Sequence, residues 1–190
     1  MKLIFIRHAE PDYSIDSLTE KGFYEAGLLA KRTAAWHVTD FFCSPLGRAI
    51  KTSEPTLACH GRTATIYDWL QEFRIPVSSD GRPDGKTIPW DFMPEYLNRY
   101  PELLDADRWL DTPVMKSGNV KEAYNNVCQS FDALLEKYGY VREGLAYSTT
   151  HTQSSCGYMV YNGTTKECMA KHKDDEPVSY YGGFAPPFQG

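Results

Sequence analysis

The amino-terminal stretch constrains the fold of this chain most strongly. Leu3 to Ile6 is an unbroken apolar run rich in β-formers, which predicts a strand buried on both faces. The run ends at Arg7 and His8. Ligands of an open parallel sheet bind beyond the carboxyl ends of its strands, so we expect both side chains at a binding site. There an arginine can hold an anion while the histidine attacks it. The alternative is a loop arginine beside an exposed histidine.

Composition limits the classes of partner. The chain has 190 residues, which suits one domain with a sizeable core. Its formal charge of -5 and its pI of about 5.5 argue against nucleic acid as the main partner. An anionic substrate would therefore need a local cluster of arginines.

The lengths of the apolar runs and the pattern of cysteines predict a reducing, aqueous compartment. The first apolar run is far shorter than the roughly 7–15 residues of a signal-peptide core, and no stretch approaches the ~20 apolar residues that span a bilayer. The five cysteines are scattered, odd in number and without the spacing of metal ligands. We therefore expect a cytoplasmic protein with free thiols, no membrane partner, no metal and no cofactor.

The second strand leads to a phosphate-binding candidate. A helix from about Leu18 to Ala35, with Thr19 as N-cap, precedes a short strand over Asp40 to Cys43. Ser44 then suits an N-cap and Pro45 a first helical position. Arg48 would lie in the first helical turn, where backbone N–H groups already favour anions and a guanidinium adds a bidentate clamp. The alternative is a solvated surface arginine.

A carboxylate follows the third predicted strand, Thr63 to Tyr67. Glu72 lies between Leu70 and Phe73, in partly apolar surroundings that suit a proton donor. The alternative is an exposed loop glutamate. Asp68 is a weaker candidate for the same role.

The rest of the chain divides into three predicted parts. Residues 74–118 form an insertion over the site, whose aromatic residues mostly build a small core and whose Arg74, Arg82 and Lys86 are candidate substrate contacts. Asn119 to Tyr138 has apolar residues at spacings of three and four, which predicts a core-packing helix closed by Gly139. Residues 162–190 are too polar for a buried strand and are expected to be irregular.

Two motifs resemble a known family. Ile6 to Glu10 resembles the Arg-His-Gly signature of the histidine phosphatase superfamily, the phosphoglycerate mutase-like proteins, with Ala9 in place of glycine. Ser44 to Thr52 resembles the second phosphate-binding motif of that family, and Leu18 to Gly22 resembles the opening of its first helix. The resemblance covers roughly residues 1–150.

The resemblance implies roles for individual residues. His8, Glu72 and His151 would be catalytic: His8 attacks phosphorus and Glu72 protonates the leaving oxygen. His151 ends the last strand of the site, near residues 145–150, which should lie beside the first strand of the sheet. Arg7, Arg48, Glu10 and Arg74 would bind substrate. Thr152 and Gln153 replace the usual neighbours of the second histidine, and Cys156 to Tyr161 would be the remnant of the helix that follows it. His151 is therefore either a phosphate ligand or an ordinary loop histidine.

Together these features predict one α/β domain over residues 1–190. It would have a three-layer arrangement, with a mostly parallel central sheet, helices on both faces, a helical lid over 74–118 and an atypical or truncated part over 162–190. The implied function is metal-independent hydrolysis of a small phosphorylated metabolite through a phosphohistidine. The alternatives are a phosphoglycerate-type mutase and a catalytically impaired phosphate-binding or regulatory domain.

Overall fold

A computed structural model describes residues 2–78, 82, 84–149 and 156–161, the last of these through their backbone alone. Contacts between Cα atoms group them into two compact units. The first unit comprises the residues up to Glu72 and the described residues from Tyr147 onward, and the second comprises Phe73–Ala146. His151 and residues 162–190, for which the sequence makes predictions, lie outside the described residues.

The described secondary structure consists of short strands and α-helices. The strands are β1 (Lys2–Arg7), β2 (Pro11–Asp12), β3 (Ser17–Leu18), β4 (Asp40–Cys43), β5 (Thr65–Ile66), β6 (Val77–Ser78), β7 (Lys86–Thr87), β8 (Tyr140–Glu143), β9 (Ala146–Thr149) and β10 (Cys156–Tyr161). The α-helices are α1 (Glu20–Thr33), α2 (Gly47–His60), α3 (Pro94–Arg99), α4 (Pro113–Lys116) and α5 (Val120–Glu136). Short 3₁₀ turns cover Asp68–Leu70, Pro101–Leu104 and Trp109–Asp111.

The main sheet of the first unit has four strands in the order β1-β10-β4-β5. Every neighbouring pair in it runs parallel. The carboxyl ends of its strands therefore meet at one edge, where Arg7 ends β1 and His8 follows it. The predicted α/β class is confirmed, whereas the three-layer arrangement and the covering lid stay predictions.

The strand β1 is less buried than its sequence suggests. Its four central residues are half-buried and both of its end residues are exposed. Among the described strands β1 lies at the edge of the sheet, so it pairs with a neighbouring strand along one side only. The prediction of a strand buried on both faces is therefore wrong for β1 and suits β4 instead. There Phe41, Phe42 and Cys43 are all buried.

The neighbour of β1 corrects two predictions. Cys156–Tyr161 is a strand and not the remnant of a helix. It pairs with β1 in parallel register, with Arg7 opposite Tyr161, and it also pairs with β4. The predicted neighbour, the strand before His151, is β9, which forms a two-stranded sheet with β8. The strand beside β1 therefore begins after His151 in the sequence and does not end at it.

The helix α2 packs on one face of the sheet. Phe41 and Cys43 of β4 form a cluster with Ala49, against which Ile50 and Leu57 also pack. The helix starts later than predicted: its N-cap is Leu46, and the Ser44 hydroxyl accepts a hydrogen bond from the Leu46 N–H at 3.3 Å. Arg48 nevertheless lies in the first turn, as predicted.

The helix α1 begins as its sequence predicts. Thr19 is the N-cap, and its hydroxyl accepts a hydrogen bond from the Gly22 N–H at 3.1 Å. Gly22 is buried against the chain that follows β1: a Cβ atom there would lie 2.2 Å from the carbonyl oxygen of Glu10. Only a residue without a side chain allows this approach.

The second unit has its own small core. Its buried residues are Val77, Leu103, Met115 and Val120. The partly buried side chains around them come from the predicted insertion or its flank, and many are aromatic: Phe73, Ile75, Phe92, Tyr96, Leu97, Tyr100, Trp109, Leu110 and Val114. The prediction that most aromatic residues here build a core is confirmed. Because Val120 opens α5, this core extends beyond residue 118. Among the described residues, no helix is long and apolar enough to cross a membrane.

The two glycines of α1 give a matched test of the packing at Gly22. Gly22→Ala should lower the free energy of unfolding by about 1–3 kcal/mol, because the new methyl group overlaps a backbone carbonyl. Gly27→Ala is the control, since no atom lies within 4 Å of its added Cβ. It should raise the free energy of unfolding by about 0.5–1 kcal/mol through helix propensity. Urea denaturation followed by circular dichroism measures both, and equal effects of the two variants would contradict this packing.

Candidate active site

The end of β1 presents one buried and one exposed side chain. His8 follows the strand directly and is only 9% exposed, whereas Arg7 is exposed. The turn after them is tied to α2: the Ala9 N–H donates to the Thr52 hydroxyl oxygen at 3.0 Å, and that hydroxyl donates to the Arg48 carbonyl at 2.7 Å. Thr52 therefore fixes His8 relative to the helix that carries Arg48.

The His8 ring has a defined hydrogen-bonding state. Its Nδ1 lies 2.7 Å from the Ala9 carbonyl oxygen. A carbonyl oxygen only accepts hydrogen bonds, so the tautomer assigned from this contact carries its hydrogen on Nδ1. In the neutral ring Nε2 then keeps its lone pair and can act as a nucleophile.

The surroundings of His8 favour this neutral form. Burial lowers the pKa of His8 below its ordinary value, and the positive charges of Arg48 and Arg7 lower it further. The hydrogen bond to the Ala9 carbonyl and the Glu72 carboxylate act in the opposite direction without reversing the net change.

The guanidinium of Arg48 is held between two carboxylates. Its side chain is 3% exposed, and its Nη1 donates to Asp16 Oδ1 at 2.6 Å while its Nη2 donates to Glu72 Oε2 at 3.1 Å. The ring of Tyr13 lies 5.3 Å from the guanidinium carbon. The alternative of a solvated surface arginine is therefore wrong. A buried charge with this planar donor set is suited to holding an anion.

Asp16 was not expected at this site. Besides pairing with Arg48, its Oδ2 accepts the Gly47 N–H at 2.7 Å, so its carboxylate bridges the first two residues of α2. Partial burial raises the pKa of Asp16, but the hydrogen bonds from Gly47 and Arg48 outweigh this and lower it overall. The only signal in the sequence is indirect: a helix N-terminus attracts a negative group.

Tyr13 is a second residue without a clear signal in the sequence. Its ring lies edge-on to the His8 ring, with 6.5 Å between centroids and an interplanar angle of 84°. Its side chain is 66% exposed. Tyr13 therefore contacts both the histidine and the arginine of the site from its solvent side.

Glu72 lies near Arg48 but not in the surroundings predicted for it. It follows the Asp68–Leu70 turn, its side chain is 24% exposed, and it is paired with a guanidinium. The alternative of an exposed loop glutamate is wrong as well, because the side chain is only partly exposed and is ion-paired. Asp68, the weaker candidate, is exposed.

Comparison with known proteins gives a family match over part of the chain. Residues 3–88 match the histidine phosphatase superfamily (branch 1). The matched segment contains His8, Arg48 and Glu72, so the resemblance drawn from the two motifs is confirmed. Phosphoserine phosphatase 1 from Hydrogenobacter thermophilus is 30% identical over 122 residues, which cover 60% of this chain and 52% of that protein. The chain thus spans about half the length of this curated relative.

Solved structures give a likeness of fold. Mycobacterial hydrolase 1 superposes with a TM-score of 0.52 at 14% identity, covering 85% of this chain and 74% of that chain. The alpha-ribazole phosphatase from Shigella flexneri gives a TM-score of 0.48 at 19% identity, with the same coverage of each chain. At 14% identity the likeness to the mycobacterial hydrolase shows a shared fold and nothing about activity.

The Glu10 carboxylate contacts residues at the start of α1. It accepts hydrogen bonds from the Thr19 hydroxyl at 2.8 Å and from Lys21 Nζ at 2.6 Å. The backbone N–H of Glu10 also donates to Glu25 Oε2 at 2.9 Å. These contacts fix the chain between β1 and α1, and a role of Glu10 in substrate binding stays a prediction.

Two other predicted residues are not brought into this cluster by the described structure. Arg74 is exposed and belongs to the second unit. His151, which the resemblance to histidine phosphatases made catalytic, lies outside the described residues. Among the residues that are described, no group of three or more histidine, cysteine, aspartate or glutamate side chains could hold a metal ion.

The lowered pKa of His8 predicts a pH-dependent stability. In the unfolded chain its pKa is about 6.5. As the pH falls through that value, the unfolded chain takes up a proton that the folded protein resists, so the free energy of unfolding falls. His8→Gln removes this contribution, and its stability should decline less than that of the wild type between about pH 7.5 and 5.5.

Urea denaturation at a series of pH values measures this effect. The difference between the two proteins at about pH 8, where His8 is neutral in both states, gives the packing cost of the substitution and serves as the internal control. Parallel stability curves for wild type and His8→Gln would contradict the lowered pKa.

Proposed function

We propose that this protein hydrolyses a small phosphomonoester through a phosphohistidine formed on His8. The observation that carries the proposal is the state of the His8 ring. The ring is buried, its pKa is lowered, and its Nδ1 donates to the Ala9 carbonyl, which leaves Nε2 as the nucleophilic atom. The match of residues 3–88 to the histidine phosphatase superfamily supports the same assignment.

The proposed reaction has two in-line steps. In the first, the Nε2 lone pair attacks phosphorus, a P–N bond forms, and the P–O bond to the leaving group breaks. Glu72 supplies the proton that the leaving oxygen takes up. In the second, water attacks the phosphohistidine, Glu72 takes the proton from that water, and the P–N electron pair returns to Nε2. The products are an alcohol and inorganic phosphate.

Positive charge stabilises the equatorial oxygens in both steps. Arg48 would hold these oxygens through its planar donors, with Arg7 nearby at the end of β1. The Nδ1 hydrogen bond to the Ala9 carbonyl would also stabilise the positive charge that the ring gains when Nε2 bonds to phosphorus. We retain Glu10 and Arg74 as proposed substrate contacts and His151 as a proposed second catalytic histidine.

The pairing of Glu72 with Arg48 suggests how the proton donor is prepared. Beside the guanidinium, at 3.1 Å, the carboxylate is held by a positive charge. A substrate phosphoryl group that accepts the hydrogen bond from Arg48 Nη2 would take the place of Glu72 at the guanidinium. It would also put a negative group beside the Glu72 carboxylate. Binding of the phosphoryl group would thus free the Glu72 carboxyl group from the guanidinium.

Phosphoserine is the first compound to test. The curated relative of this chain is a phosphoserine phosphatase, although the match covers 52% of that protein. A panel of phosphoserine, p-nitrophenyl phosphate and sugar phosphates, assayed without added metal, would define the substrate class.

One observation favours a second candidate, a catalytically impaired phosphate-binding domain. The strand beside β1 is Cys156–Tyr161, which begins after His151. The same panel separates the two: saturable phosphate binding without turnover of any compound would support the binding domain.

His8→Asn should abolish turnover. The amide cannot form a bond to phosphorus, so acid-labile phosphate should accumulate on the quenched wild-type chain and be absent from the variant. His37→Asn is the matched control, because His37 is exposed. Turnover that persists in His8→Asn would exclude the covalent mechanism.

Arg48→Lys should lower kcat/KM by about tenfold or more, because an ammonium cannot align two donors with two phosphate oxygens. Arg62→Lys is the control: Arg62 is exposed and its guanidinium donates to the Thr39 carbonyl. Steady-state kinetics on the best substrate of the panel measures both. Equal kcat/KM for Arg48→Lys and the wild type would contradict a bidentate role.

A further inference from the structure

Asp16 is anchored to the start of α2 through both of its carboxylate oxygens. Its Oδ2 accepts the Gly47 N–H at 2.7 Å, and its Oδ1 accepts Arg48 Nη1 at 2.6 Å. Gly47 and Arg48 are consecutive residues of one helical turn. The carboxylate is therefore fixed to the same turn whose arginine it holds.

Asp16 also has an uncommon backbone conformation. Its φ of 46° lies in the left-handed region, which is uncommon for residues other than glycine. A Cβ atom on Gly47 would lie 2.0 Å from the Asp16 carbonyl oxygen, so the two backbones touch. Aspartate is one of the few residues besides glycine that adopt this region readily, so its identity suits the backbone position.

We propose that Asp16 is a positioning residue that orients the Arg48 guanidinium toward the phosphoryl group of the substrate. This inference rests on the proposed function, in which Arg48 holds the phosphate oxygens. A long arginine side chain loses much rotamer freedom when it binds a ligand. A partner that fixes one edge of the guanidinium beforehand removes part of that cost and aligns the plane for two parallel hydrogen bonds.

The opposite role would be competition, in which the Asp16 carboxylate occupies the place of the phosphate. The double anchor argues against it. A competing carboxylate must move away when the ligand arrives, whereas Asp16 is held at Gly47 independently of Arg48. The two roles predict opposite signs: losing a positioning residue weakens phosphate binding, and losing a competitor strengthens it.

The test measures binding of inorganic phosphate to the full chain by isothermal titration calorimetry, together with KM and kcat for p-nitrophenyl phosphate. Asp16→Ala should raise the dissociation constant and KM by about tenfold. Asp16→Asn keeps the size and one acceptor but not the charge, so it should have a smaller effect in the same direction. Asp12→Ala is the matched control: it removes the hydrogen bonds of Asp12 to Ser14 in the same connection without touching Arg48.

A double-mutant cycle separates positioning from general destabilisation. In an Arg48→Lys background the ammonium no longer presents a plane to be oriented, so the further loss from Asp16→Ala or Asp16→Asn should shrink to about threefold or less. A purely structural role would give the same loss in both backgrounds. If Asp16→Ala does not fold, the Asp16→Asn cycle carries the test alone.

The outcomes are distinct. Wild-type protein that neither binds phosphate nor turns over p-nitrophenyl phosphate overturns the proposed function and this inference with it. A wild type that binds, with an Asp16→Ala variant that binds equally well or more tightly, overturns the inference alone. Additive losses in the cycle, or an equal loss in Asp12→Ala, also overturn it.

Discussion

The buried positive charge of Arg48 is the constraint on which the described site depends. A guanidinium that is 3% exposed has lost its contact with water and must be compensated within the protein. Asp16, from the connection between β1 and α1, and Glu72, from the chain after β5, each supply a carboxylate. Tyr13 adds the face of an aromatic ring. Two segments that are distant from α2 in sequence therefore converge on one side chain.

The first turns of α2 fix the positions of both His8 and Arg48. Arg48 and Thr52 are four residues apart and so lie on one face of the helix. Arg48 carries the charge, and Thr52 accepts the Ala9 N–H from the turn that fixes His8. Gly47, one residue earlier, donates to Asp16. A movement of α2 would therefore shift His8, Arg48 and Asp16 together.

Sequence analysis predicted those features that a few neighbouring residues decide. The N-cap at Thr19 and the bounds of Asp40–Cys43 agree with the structure because capping and a buried apolar run are local. Cys156–Tyr161 was misassigned because a short apolar run fits a strand or a helix equally well, and its pairing with β1 depends on distant parts of the chain. The same holds for Asp16, which lies 32 residues from its partner and belongs to no recognised pattern.

The charges around Arg48 determine which contact a substrate must displace. A phosphate dianion that approaches this guanidinium meets two carboxylates already bound to it, and a phosphate oxygen that takes the donor of either carboxylate displaces that carboxylate. Asp16 is held by a second hydrogen bond, from Gly47, and its contact with Arg48 is 2.6 Å. Glu72 is held, among the described contacts, only by Arg48 and at the longer distance of 3.1 Å. We therefore expect Glu72 to yield first. Because Glu72 is also the proposed proton donor, binding of the phosphate would release the group that the leaving oxygen needs next.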